Sequence, residues 1–257
     1  MSMEPFLRSE GLRLAGHLAL PSAPARAGGR MPGVVLCHGF PSGAGGAATS
    51  AATYPELADR IAGEVGWAAL TFNFRGCGAS EGNFSLRGWL ADLGAAVDHL
   101  AAVEGIDGIW LAGASTGGSL AIARAAADPS IHGVAALAAR ADFDDWAGHP
   151  RRFIEHARDI GIIRDASFPP AFDAWARELR EIRPLELVRH LPPRPLLVIH
   201  GSEDDYVPVA DARVLADAHG ECDLRVVAGA GHRLRNDPRA VAILLGWLDR
   251  QKAQITA

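Results

Sequence analysis

Cysteine is scarce in this chain, with three residues in 257, an odd number at spacings that fit no zinc pattern. A disulfide scaffold is excluded and reduced thiols are expected. Long apolar runs are missing as well. None approaches the roughly 20 residues of a membrane span, and the opening MSMEPFLRSEGLRLAG lacks the basic end and apolar run of a secretory signal. A cytoplasmic protein with no membrane partner is expected. Nor is there an excess of positive charge: 25 Lys and Arg face 30 Asp and Glu, for a net charge of -5 and a pI near 6.0. Even residues 140–194, where arginine is densest, match ten arginines with ten acidic residues, the pattern of solvated helix faces. Such a balance argues against a nucleic-acid partner. The ten histidines form no HExxH pair and no phosphate-cradling glycine loop occurs, so neither a metal nor a nucleotide cofactor is expected.

What is present is ample apolar material, 49% of the chain, enough for one large core. Because 48 residues are alanine, the larger hydrophobes must be read by position. Residues 4–20 alternate apolar and polar around Ser9-Glu10-Gly11, as an antiparallel hairpin would, and Pro21 to Pro32 forms a Pro, Gly and Ala-rich connection. Continuous apolar runs follow at 33–39, 66–74, 108–115, 132–139 and 194–201, suited to strands buried on both faces of a parallel sheet. Helical patterns separate them at Tyr54–Val65, Leu86–Val103, Thr116–Ala127 and Val209–His219; a last strand at 223–229 precedes a helix from Pro238 to Arg250. This alternation predicts a doubly wound, mostly parallel α/β sheet in a single domain spanning 1–257. Residues 140–194 break the rhythm with two amphipathic patterns, one carrying Phe172, Trp175, Leu179 and Ile182 at helical spacing, and read as a small helical cap inserted over the sheet.

Gly113-Ala114-Ser115-Thr116-Gly117-Gly118 follows a buried strand and opens a helix. In that setting G-x-S-x-G is a nucleophile elbow, whose glycines let two backbone segments close around a serine at the tip of the turn. A serine hydroxyl needs a base, normally a histidine oriented by a carboxylate. His232 lies just past the last strand and Asp204 just past the one before it, at the sheet edge where Ser115 emerges. Glu203, Asp205, Asp142 and Asp144 are rivals to Asp204 for the acid role. Backbone N–H groups of Phe40, in the loop running from His38-Gly39 through Ser42, Gly43, Gly45 and Gly46, and of Thr116 are the natural oxyanion donors. His38 at a strand end suits a loop-shaping hydrogen bond better than catalysis. Cys37 and Cys77 are expected to pack, since neither is flanked as G-x-C-x-G.

From the HGF loop through GASTGG to HGSEDDYVP and GAGHRL, the chain resembles the α/β-hydrolase superfamily over nearly its whole length. The stretch FNFRGCGASEG at 72–82 is similar to a loop of small bacterial esterases of the cinnamoyl or feruloyl type. The resemblance implies an α/β-hydrolase fold and a serine esterase that acts without a cofactor on a small-molecule ester. Thioesterase, lactonase, serine peptidase and carbon-carbon hydrolase activities use the same constellation, and a ligand-binding protein with negligible turnover is a rival from another class. The elbow holds serine, not aspartate, which disfavours dehalogenase and epoxide-hydrolase chemistry. Phe143, Trp146, Phe172 and Trp175 are candidates to line a pocket for apolar or aromatic acyl groups. A homodimer is compatible with the chain.

Overall fold

The computed structural model describes residues 4–22, 30–41, 46–49 and 53–255. Part of the expected Pro21–Pro32 connection, and Ser42, Gly43 and Gly45 of the loop after His38, lie outside these residues.

Eight strands form one sheet: β1 (Glu4–Ser9), β2 (Leu12–Ala19), β3 (Met31–Cys37), β4 (Ala68–Phe72), β5 (Ile106–Ala114), β6 (Ile131–Leu137), β7 (Leu196–Gly201) and β8 (Asp223–Val227). Their order is β1-β2-β4-β3-β5-β6-β7-β8. The β1–β2 hairpin turns at Glu10-Gly11 and joins β4 antiparallel, while every pairing from β4 to β8 is parallel. The central strands are buried along almost their whole length, which is why they read as unbroken apolar runs rather than alternations.

Helices cover both faces. α1 (Tyr54–Arg60) and the final helix α9 (Pro238–Ile255) pack with Trp67 and Trp110 on one side. α2 (Leu86–Ala101), α3 (Thr116–Ala127) and α8 (Val209–His219) pack with Phe72, Phe74 and Trp89 on the other. α1 gives way to one wider turn at Ile61–Val65, closed by Gly66 in a left-handed conformation, and α9 runs five residues past the expected Arg250. Between β6 and β7 lie α4 (Asp144–Gly148), α5 (Pro150–Asp159), α6 (Phe172–Glu181) and α7 (Pro184–Leu187). In α6 the predicted stripe faces inward, with Trp175 and Leu179 buried.

The topology fixes where a site can form. From β3 the chain steps outward to β4, then returns across β3 to β5, so the loops after β3 and β5 part in opposite directions and leave a crevice at their carboxyl ends. Among the described residues no helix is long and apolar enough to cross a membrane, and no cluster of three His, Cys, Asp or Glu side chains is placed to hold a metal.

Candidate active site

Ser115 occupies the turn between β5 and α3 with φ 51° and ψ -123°, a conformation costly for any residue with a Cβ and held by its surroundings. Its N–H donates to Leu137 O at 2.8 Å, and its carbonyl accepts from Ser119 N at 3.1 Å. The flanking glycines are steric necessities: a Cβ on Gly117 would come within 2.4 Å of His38 O, and one on Gly113 within 2.4 Å of the Gly117 carbonyl carbon. A Cβ on Gly39 would stand 2.9 Å from Ser115 Cβ, so the loop after β3 presses directly on the serine. Thr116 is the first residue of α3, where leading amides have no intrahelical acceptor.

His38 shapes that loop. It is wholly buried; its Nδ1–H donates to Gly39 O at 2.8 Å and its Nε2 accepts the N–H of Phe74 at 3.1 Å. Burial pushes its pKa down to about 4, so it stays uncharged in neutral solution. Burial likewise drives the Cys37 thiol upward, and both Cys37 and Cys77 are buried in the core.

Asp204 and His232 come together at the ends of β7 and β8. Glu203 N donates to Ala230 O at 2.9 Å and ties the two loops. His232 Nδ1–H then meets Asp204 Oδ2 at 2.8 Å, with the carboxylate fully buried and the imidazole 17% exposed. The other oxygen of Asp204 accepts the N–H groups of Tyr206 and Val207, both at 2.9 Å. Asp204 is thus at once a turn residue and the carboxylate facing His232. Burial alone would raise its pKa, but hydrogen bonds from His200, His232, Val207 and Tyr206 outweigh this and hold the carboxyl well below the usual range. The rivals are engaged elsewhere or exposed: Asp142 accepts from Asp144 N, Asp144 pairs with Arg183, and Glu203 and Asp205 face solvent.

Two contributors carried no recognised signal in the sequence. His200, fully buried at the end of β7, donates through Nε2 to Val207 O at 2.9 Å and lies 3.4 Å from Asp204 Oδ2. Its Nδ1 has no partner among the described residues. Tyr206, 66% exposed, sets its ring 5.3 Å from the imidazole of His232. In sequence, a histidine closing a strand and a tyrosine in a turn look like many others.

Rings from the segment between β6 and β7, joined by Phe84 from the loop before α2, surround Phe40. Trp146, Phe153 and Phe84 stand 5.0, 5.3 and 5.4 Å from it, and Trp146 stacks on Phe153 at 4.2 Å. Arg164 ties this segment to the 73–82 loop by donating to Gly76 O, Gly78 O and Ser80 O. A cleft of about 370 Å³ opens between α4 and α5, lined by Asp145, Trp146, His149, Arg152, Phe153 and His156. Of the four rings anticipated for a pocket, Trp146 lines this cleft. Phe143 is wholly buried against Trp146, Trp175 is buried and donates from Nε1 to Phe84 O, and Phe172 lies under the Arg151 guanidinium.

Residues 34–243 match the model of the alpha/beta hydrolase family, and the chain belongs to that family, with its α/β-hydrolase fold. Esterase LipC of Mycobacterium tuberculosis (strain ATCC 25618 / H37Rv) is 28% identical over 140 residues, which cover 49% of this chain but 33% of LipC. Among solved structures, Est1E from Butyrivibrio proteoclasticus with ferulic acid bound is similar at a TM-score of 0.69 and 21% identity over 99% of this chain and 98% of that one. GrgF from Penicillium sp. sh18 gives 0.72 at 21% over 96% and 97%. The meta-cleavage product hydrolase CumD from Pseudomonas fluorescens IP01 gives 0.69 at 18% over 97% and 98%. At these identities the structural likeness is one of fold.

Proposed function

We propose that the chain is a serine hydrolase that cleaves small to medium carboxylic esters with apolar or aromatic acyl groups through an acyl-enzyme. In this reading His232 takes the proton of Ser115 as its Oγ attacks the ester carbonyl, and Asp204 holds the imidazole in the tautomer that can accept. The N–H groups of Phe40 and Thr116 receive the oxyanion. His232 then gives the proton to the departing alcohol, and water repeats the sequence to release the acid. We read 1–257 as one hydrolase domain, with 140–194 as a cap that shapes the acyl pocket.

The observation that carries this reading is the backbone of Ser115. A φ of 51° on a serine at a strand-to-helix turn, between glycines that admit no side chain, is the backbone of a nucleophile elbow and supports Ser115 as the nucleophile. The His232–Asp204 pair at the same sheet edge supplies the base. The esterase name of LipC and the ferulic acid in Est1E favour an ester over the other bonds this family cleaves.

The test is labelling by a fluorophosphonate together with a panel of p-nitrophenyl esters, thioesters and aminoacyl amides. Ser115→Ala is expected to abolish labelling and to lower kcat for the best ester by at least about 10³-fold with the fold intact. More than about a tenth of the activity remaining would remove Ser115 as nucleophile.

A further inference from the structure

The cleft between α4 and α5 sets three exposed basic side chains, His149, Arg152 and His156, against a single carboxylate. His149, Arg152, Phe153 and His156 follow one another at spacings of three, one and three residues, which places them on one face of α5 and its leading turn. Phe153 is buried at the floor, while the two imidazoles and the guanidinium stand exposed at the rim. The cleft's one carboxylate, Asp145, is already committed: Oδ2 accepts from Arg140 at 2.9 Å and Oδ1 from Trp146 N at 2.9 Å. Arg140, Arg158, Arg164, Arg180, Arg183 and Arg194 of the same segment all hold acceptors supplied by the chain. Among the described residues, Arg151, Arg152, Arg177 and Arg189 hold none, and of these four Arg152 lines the cleft.

The cleft also adjoins the proposed chemistry. His156 stacks on Phe40 with centroids 6.0 Å apart and planes at 28°, and Trp146 and Phe153 touch the same ring. Phe40 thus belongs to the proposed oxyanion site through its amide and borders the cleft through its ring. A guanidinium fork beside two imidazoles matches a planar carboxylate. We infer that this cleft is a subsite for a carboxylate at the far end of the substrate's acyl group, so that the favoured substrates are half-esters of dicarboxylic acids. The inference rests on the esterase reading for its substrate, but the cleft's ligand can be tested without turnover.

Mono-p-nitrophenyl esters of adipic, suberic and sebacic acid are compared with analogues whose far end is an uncharged carboxamide. The kcat/KM ratio of carboxylate to carboxamide is expected to reach about fivefold at the best length, the scale of an exposed ion pair. It should shrink in about 0.5 M NaCl. Arg152→Gln is expected to bring the ratio to about one and Arg152→Lys to keep part of it, while Arg189→Gln, the same loss of charge elsewhere on the segment, leaves it in place. In parallel, calorimetry on Ser115→Ala protein compares monomethyl suberate with its carboxamide analogue. Tighter binding of the carboxylate, lost on adding Arg152→Gln, supports the subsite even if no ester is cleaved, in which case the esterase reading alone fails. A ratio near one at every length, or a preference that survives Arg152→Gln, overturns the inference.

Discussion

The two regions that meet at Phe40 are held in different ways. At the sheet edge, Ser115, His38, Asp204 and His232 are fixed by backbone: a strained φ, carbonyls within 2.4 Å of where a side chain would be, and amides that occupy one oxygen of Asp204. In the segment between β6 and β7, position comes from ring against ring and from arginines reaching carbonyls, as Trp146 on Phe153 and Arg164 on Gly76 and Gly78 illustrate. Backbone constraints tolerate almost no change. Ring packing tolerates a change of shape at modest cost. The edge is therefore suited to chemistry common to a family, and the helical segment to selectivity that differs between its members.

The largest effect that would break this contrast is at the acid. Asp204→Asn is expected to lower kcat/KM by about 10³- to 10⁴-fold, because an amide no longer fixes the tautomer of His232. Asp142→Asn, in the helical segment, is expected to fall within about twofold of wild type. Equal losses at the two positions, measured on one p-nitrophenyl ester, would place the acid elsewhere.

Next comes the support beneath the edge. Arg75 donates to Asp92 from Nη2 at 2.7 Å and from its own backbone N–H at 2.8 Å, with the Asp92 side chain fully buried, and this pair pins the 73–82 loop to α2. Asp92→Ala removes the buried carboxylate and leaves the guanidinium only Glu10 at 3.0 Å and Ser9 Oγ at 3.2 Å, and is expected to cost about 3 kcal/mol in denaturant unfolding. Arg183→Ala, which breaks exposed pairs with Asp144 and Glu186 in the helical segment, is expected to cost less than about 1 kcal/mol.

How much was legible in advance follows the same division. The strand-to-helix turn at Ser115, the placement of Asp204 and His232 just past neighbouring strands, and all eight strands could be read because each depends on local sequence: glycines around Ser115, apolar runs, turns after β7 and β8. Which carboxylate faces His232 could not be read from spacing alone, since Asp204 and Asp205 differ by one position. The structure separates them through two backbone amides that only Asp204 reaches. The helical segment yielded its stripe of Phe172, Trp175, Leu179 and Ile182, but not its cleft. Trp175 turned inward to bond Phe84 O, and the charged residues of this segment read only as solvated helix faces, because nothing in their spacing shows that α5 packs beside Phe40.

Acid pH offers a third probe of the edge. The folded pKa of His38, about 4, lies below its ordinary 6.5, so between those values the unfolded chain binds the additional proton. Stability therefore rises with pH across this window and is lost on acidification, by on the order of 3 kcal/mol if the full shift is realised. His38→Gln is expected to be less stable at neutral pH yet to lose less on going from about pH 6.5 to about pH 4. The readout is the slope of unfolding free energy against pH in wild type and variant. Parallel slopes would mean that the loop after β3 accommodates a charged imidazole.

The smallest expected effect sharpens the contrast from the other side. If the rings around Phe40 form the wall of the acyl pocket, truncating one should change which ester is preferred while leaving the reactivity of Ser115 in place. Each methylene buried against that wall contributes up to about 0.8 kcal/mol, or nearly fourfold in kcat/KM, until the space is filled. Wild type is therefore expected to climb from acetyl through butyryl to hexanoyl esters of one leaving group, with cinnamoyl also favoured. Trp146 is the ring to change, because it lines the cleft, touches Phe40 and is only half-buried, whereas Phe143 and Trp175 are core residues whose loss would unsettle the whole segment. Trp146→Ala is expected to flatten the climb, with each step falling from nearly fourfold to about twofold or less, while the fluorophosphonate labelling rate of Ser115 stays within about twofold. A wild-type profile highest at acetyl would mean that the segment encloses a small polar pocket. A flattened labelling rate in Trp146→Ala would mean that the helical segment also holds the catalytic edge in place, and the division between the two regions would no longer stand.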